Sequence, residues 1–392
     1  MSEVRKKILI LYASYGDGHI QVSRALQERF ELEEGCKAVL VDLFAEAYPA
    51  FNALTRYVYI KSYSLFPKLY GLTYYWTRHM RTDTIFSQWF HRFGIQKLHE
   101  IIRREQPDAV VNTFPMLVMP EWRKKTGTPI PTFSVLTDFV LHWRWIHPLI
   151  DKYYVATDDL RSQMTDAGVP AHRIEVSGIP LKSVFRTVEA TAGLYAKYRL
   201  DPLKRTVLIM AGSYGVLQGL KDVCDALGSF DGVQLLVVCG KNESLYSTMA
   251  ESFAGNAAVQ VFPFVKEMNE MMALSDVIVT KPGGITLTEA IESLLPIVLF
   301  RPVPGQEHDN AQYLASKGAA FIAQSPDELT GIIYQLLTND DKRQKVRESL
   351  LRLRQPQSTE RIVSDMLRQL AVPSPEPAAA YEQRRVSSGP IT

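Results

Sequence analysis

Unbroken apolar runs of strand length recur along almost the whole chain, separated by amphipathic stretches. Ile8 to Ala13, Ala109 to Val111 and Val277 to Val279 are such runs, each closed by polar or glycine-bearing residues. A strand without polar alternation is buried on both faces, as in a parallel sheet covered by helices. After the first run, Val22, Ala25, Leu26, Arg29 and Phe30 recur at helical spacing, which predicts a helix starting after Gly18. The pattern predicts strands near 8–12, 38–42, 109–112, 132–136, 152–156 and 174–177. A second set falls near 206–210, 234–239, 259–262, 276–280, 297–300 and 319–322. Residues 326–350 read as two helices and 358–371 as another. Strand–helix alternation of this kind is the α/β class, with open parallel sheets.

At 392 residues the chain exceeds a typical single domain. The polar stretch from Leu181 to Arg205 separates two halves, each with a glycine-rich turn after its first strand. Two Rossmann-like domains are therefore expected: 1–185, and 186–355 followed by a helix at 356–371. The tail 372–392, rich in Pro, Ser, Ala and Arg, has too few apolar residues to pack. Ligands of open α/β sheets sit at the carboxyl ends of the strands, so two facing sheets place a site in the cleft between them.

Net charge is +2, so no global field argues for nucleic acid. Cys36, Cys224 and Cys239 show neither metal-ligand nor disulfide spacing, which fits a reducing compartment. No apolar stretch approaches the roughly 20 residues needed to span a bilayer, so membrane contact is expected to be peripheral.

The densest chemistry lies in residues 280–310. A strand ends at Lys281-Pro282-Gly283-Gly284 and a helix begins at once with Ile285 and Thr286. Two glycines there admit close ligand approach, and the N–H groups and dipole of the helix start favour an anion such as a diphosphate. Glu289, in the opening turns, can take two ribose hydroxyls. The next strand ends in a stiff polar loop, Pro302 to Glu307, whose Gln306 and Glu307 can read sugar hydroxyls, with Asn310 beside them. Together these features point to a nucleotide-sugar donor. No metal cluster is expected, since phosphate charge can be met by backbone N–H groups, helix dipoles and Lys281.

Other stretches leave alternatives open. In the first turn, Gly16 and Gly18 allow close approach, and His19 is either a general base facing the cleft or a cap of its helix. Gly212 and Ser213 either meet the diphosphate from the opposite side or form a plain turn. The loop around Val265 either holds a base through its backbone or is only a loop. Asp138 can orient a base or bind an acceptor hydroxyl, and His142 and Trp145 can line an acceptor surface. Residues 51–93 mix aromatics and cations, among them Tyr57, Lys61, Tyr63, Tyr75, Trp76 and Arg78, against the single acid Asp83. That mixture suits the headgroup layer of an anionic membrane or, alternatively, a helical insertion packed on the sheet.

Taken together, SYGDGH (14–19), NTFPM (112–116), TDF (137–139), DKYYVATD (151–158), SGIP (177–180), MAGSYGVL (210–217), VVCGKN (237–242), TKPGGITLTEA (280–290) and PVPGQE (302–307) resemble the family 28 glycosyltransferases, of the monogalactosyldiacylglycerol synthase type. The resemblance runs from Ile8 to about Leu370. It implies a GT-B fold, with the donor in the second domain and the C-terminal helix crossing back to the first. It implies inverting hexose transfer from a UDP-sugar, UDP-glucose before UDP-galactose, to diacylglycerol and then to glucosyl-diacylglycerol, as in glycolipid and lipoteichoic acid anchor synthesis. No cofactor or metal is implied. By motif, His19 is the base and Gly283 and Gly284 face the diphosphate, with Gly212 and Ser213 opposite. Glu289 holds the ribose, Val265 the uracil, and Gln306 and Glu307 the hexose. The expected location is the cytoplasmic face of the cell membrane. A UDP-sugar 2-epimerase, or a UDP-sugar-responsive regulator with a protein partner, are the other classes this sequence suits.

Overall fold

The computed structural model describes residues 6–14, 16–47, 71–72, 74–75, 94–186, 188–212 and 219–371. Ser213, Tyr57, Lys61, Tyr63, Trp76, Arg78 and the tail 372–392 lie outside them.

Two six-stranded sheets form, both wholly parallel. The first comprises β1 (Lys6–Tyr12), β2 (Cys36–Asp42), β3 (Ala109–Asn112), β4 (Thr132–Val135), β5 (Lys152–Val155) and β6 (Ile174–Val176). Their spatial order is β2-β1-β3-β4-β5-β6. The second comprises β7 (Arg205–Met210), β8 (Val233–Val238), β9 (Val259–Phe262), β10 (Val277–Thr280), β11 (Ile297–Phe300) and β12 (Ala320–Ala323). Its order is β12-β11-β10-β7-β8-β9. Every residue of β3, β4, β10 and β11 is buried, which is why these runs carry so little polar alternation.

Chain direction across each sheet reverses once, between β1 and β3 in the first and between β7 and β10 in the second. A crevice opens at the carboxyl ends of the strands at such a reversal. Two helices start there. α1 (Asp17–Glu31) follows β1 and buries Val22, Ala25, Leu26 and Phe30. It begins at Asp17, two residues earlier than expected, and that carboxylate suits the positive end of a helix. α2 (Gly284–Glu292) follows β10 directly, and α3 (Gln306–Ser316) follows β11.

The last helix, α4 (Ser358–Ala371), lies against the first sheet although the second precedes it in sequence. Ile362, Val363 and Met366 are fully buried. Asp365 accepts from Lys152 Nζ at 2.6 Å and from the Tyr154 hydroxyl at 2.8 Å. Ser358 and Thr359 donate to the carbonyls of Ile179 and Leu181 at 3.0 and 2.7 Å. No described helix is long and apolar enough to cross a membrane.

Candidate active site

His19 stands in the first turn of α1, at the reversal of the first sheet. Its Nδ1 lies 2.7 Å from the carbonyl oxygen of Thr113, the residue after β3. A carbonyl only accepts, so Nδ1 carries the proton and Nε2 keeps its lone pair. The Thr137 hydroxyl lies 3.3 Å from the same Nδ1, and the Phe114 ring stands edge-on to the imidazole at 4.9 Å. Burial pushes the imidazole pKa below its usual value, against the pull of the Asp138 charge. The ring is therefore held neutral and in a fixed orientation.

The start of α2, from the second sheet, packs against the turn that carries this imidazole. A Cβ at Gly284 would overlap the Thr137 carbonyl oxygen and come within 3.4 Å of Asp138 Oδ1. A Cβ at Gly18 would lie 3.2 Å from Ile285 Cγ1. Both glycines thus serve the close approach of the two halves. Gly283, by contrast, is exposed with nothing near its Cβ position, beside the N–H groups that open α2. Gly212 takes φ +77°, a left-handed conformation that favours glycine.

Asp138 joins the halves through side chains. Gln306 Nε2 and Asn310 Nδ2 both donate to its Oδ1, the second at 3.2 Å. Asn310 also donates to the Pro282 carbonyl at 3.2 Å and accepts the Phe139 N–H at 3.1 Å. Burial raises the Asp138 pKa, while Gln306, His19 and Asn310 oppose that rise. Gln306 and Glu307 do not sit in a loop as expected. They open α3, because Gly305 (φ +107°) turns the chain and Glu307 accepts the Val303 N–H at 3.2 Å. Burial pushes the carboxyls of Glu289 and Glu307 up to about 8 and the Lys281 ammonium down to about 8. Ile285 is buried, and Thr286 and Val265 are half-buried.

On the acceptor side the expectation for Trp145 fails. Its indole is 2% exposed, inside the core, as a residue with so much apolar area favours. His142 accepts the Arg144 N–H at 3.2 Å and packs edge-on against Tyr74. The Tyr75 hydroxyl donates to Asp309 of α3 at 3.1 Å.

Sequence reasoning missed two participants. Thr113 acts through a backbone carbonyl, which leaves no trace in residue type. Lys241 donates to both Asp17 oxygens at 2.8 and 2.7 Å and lies 5.3 Å from the Phe264 ring, tying α1 to the Val265 loop. A lysine just beyond β8, at the carboxyl edge of its sheet, was the available signal.

Two Rossmann-like sheets facing across a cleft, with an oriented histidine on one side and a glycine-led helix start on the other, make up a GT-B fold. Solved structures share this fold: S. aureus MnaA with UDP (TM-score 0.64, 14% identity, 95% of this chain and 99% of that one) and Acinetobacter baumannii MurG (TM-score 0.61, 16% identity, 93% and 99%). Residues 19–181 match the monogalactosyldiacylglycerol (MGDG) synthase family, and residues 197–350 match the glycosyl transferases group 1. Proteins named processive diacylglycerol beta-glucosyltransferase from Bacillus cereus and Bacillus thuringiensis are 40% identical over 363 residues, 92% of this chain and 93% of each relative. The chain belongs to the family of these diacylglycerol glucosyltransferases.

Proposed function

We propose that the protein moves glucose from UDP-glucose to the free hydroxyl of 1,2-diacylglycerol, with inversion, and extends the product by repeated transfer. The observation that carries the reading is the imidazole of His19, whose Nδ1 is committed to the Thr113 carbonyl, which makes Nε2 the acceptor of the ring, next to Gly18, which packs against Ile285 at the start of α2. Nε2 takes the hydroxyl proton as that oxygen attacks the anomeric carbon. UDP departs from the opposite face, so an α-linked donor yields a β-glucoside. The N–H groups that open α2 just beyond the exposed Gly283 meet the diphosphate as its charge grows, and Lys281 regains full charge beside it. Glu289 takes the ribose, Val265 the uracil, and Gln306 and Glu307 the glucose, Gln306 leaving Asp138 to do so. Direct packing of the two halves excludes water and limits donor hydrolysis.

The acceptor enters from the cytoplasmic leaflet of the cell membrane, where the aromatic and basic residues of 51–93 meet anionic headgroups. Products of one to three glucoses would serve as membrane glycolipids and as lipoteichoic acid anchors. The test is His19→Ala. Turnover falls at least a hundredfold while UDP affinity, read by calorimetry, stays within twofold. Equal loss of UDP binding and turnover would remove His19 from the base role.

A further inference from the structure

Asn112, the last residue of β3, is 1% exposed, and neither its Nδ2 nor its Oδ1 has a hydrogen-bond partner among the described residues. Buried side-chain amides are almost always paired, so one with both ends open is an exception that needs a partner the described residues do not supply. Its place in the sheet says which. Strand alternation puts Asn112 on the face of Val110, where Leu11, Leu43, Phe44 and Met116 form an apolar cluster on the side of the sheet away from α1. In register it lies between Leu11 of β1 and Ser134 of β4. The next residue is Thr113, whose carbonyl holds the His19 ring. Phe114 follows, edge-on to His19 at 4.9 Å and to Phe44 at 6.3 Å. Moving from the base, one meets the imidazole, then an aromatic step beside a neutral amide, then an apolar face. A diacylglycerol carries its groups in that order: hydroxyl, ester carbonyls, acyl chains.

We propose that Asn112 is a specificity residue of the acceptor subsite, binding the glycerol-ester portion of diacylglycerol. Nδ2–H donates to an ester carbonyl, and the half-buried Phe114, edge-on to the buried Phe44, takes the start of an acyl chain. Being neutral, the amide suits an ester in an apolar face, where a charged headgroup would be costly. The inference rests on the proposed glucosyl transfer to diacylglycerol.

The experiment uses the full chain, UDP-glucose and mixed micelles holding either dioleoylglycerol or its ether-linked analogue, which lacks the carbonyls. Wild type and Asn112→Leu are compared for acceptor KM, UDP-glucose KM and Tm. The variant is expected to raise the dioleoylglycerol KM about tenfold, the worth of one lost hydrogen bond. It also loses the preference for ester over ether, and leaves the UDP-glucose KM unchanged. Its Tm stays level or rises, because an unpaired amide has been replaced by an apolar group of similar volume. Should leucine lower Tm, Asn112→Ala is read in the same way. An unchanged acceptor KM and ester preference, or parallel losses for donor and acceptor, would overturn the role of Asn112 while the proposed function stands. A wild-type enzyme that makes no glycolipid would overturn both.

Discussion

Glu289→Gln probes the donor side through pH. Glu289 is 5% exposed, and burial pushes its carboxyl from 4.5 to about 8. In the unfolded chain the group ionises near 4.5, so between 4.5 and 8 the folded state holds a proton that the unfolded state has released. Stability from this residue is fully present below pH 4.5, falls as pH rises toward 8, and then levels off. Each pH unit in that window is about 1.4 kcal/mol. Glutamine resembles the protonated acid and does not titrate, so the variant escapes the loss. The stability gap between variant and wild type should widen by about 3 kcal/mol from pH 5.5 to 7.5. Urea unfolding of both proteins in matched buffers measures it, because every other titrating group cancels in the difference. A gap that stays flat, or that narrows as pH rises, would refute the reasoning. If the carboxylate also takes both ribose hydroxyls, UDP affinity of the wild type rises with pH toward 8, and that of Glu289→Gln does not.

Other outcomes follow from the packing. Gly284→Ala drives a Cβ into the Thr137 carbonyl and forces the halves apart, so kcat/KM should fall about a hundredfold with the fold intact by circular dichroism. Normal turnover would mean that this approach is not needed for chemistry. Asp365→Ala leaves the buried Tyr154 hydroxyl without its acceptor and Lys152 with Glu175 alone, and should cost about 1–3 kcal/mol in urea unfolding. Burial works against the charge on Asp365, yet Lys152 and Tyr154 hold its carboxyl below the ordinary range, so the stability it supplies is lost only as pH falls through that lowered value. Because burial holds the His19 imidazole below 6.5, the acid limb of kcat/KM should also lie below pH 6.5, and a limb above it would contradict a neutral buried base.

What the sequence disclosed follows the range of the forces involved. Strand burial is local, so runs such as Ile297 to Phe300 mark β11 to the residue. Glycine turns and the start of α2 are equally local, and both reversals of sheet order fall beside them. Pairings between distant residues leave no such pattern. Asp138 meets Gln306 across 168 positions, and Lys241 meets Asp17 across 224. Trp145, read as lining an acceptor surface beside Asp138 and His142, is drawn into the core by tertiary packing. Pro302 and Pro304 suggest a loop through Glu307, but helix α3 starts as soon as Gly305 has turned the chain. Asn112 closes an otherwise apolar strand, and only its missing partners distinguish it from a strand-end polar residue.

The most direct measurement is transfer itself. The pure protein is incubated with radiolabelled UDP-glucose and vesicles of diacylglycerol with anionic phospholipid, chelator present, and the lipid extract is separated by thin-layer chromatography. Labelled β-glucosyl-diacylglycerol, with slower spots for two and three glucoses, is the expected result. Label confined to water-soluble products, despite measurable UDP binding, would contradict diacylglycerol as acceptor and glucose as the transferred sugar.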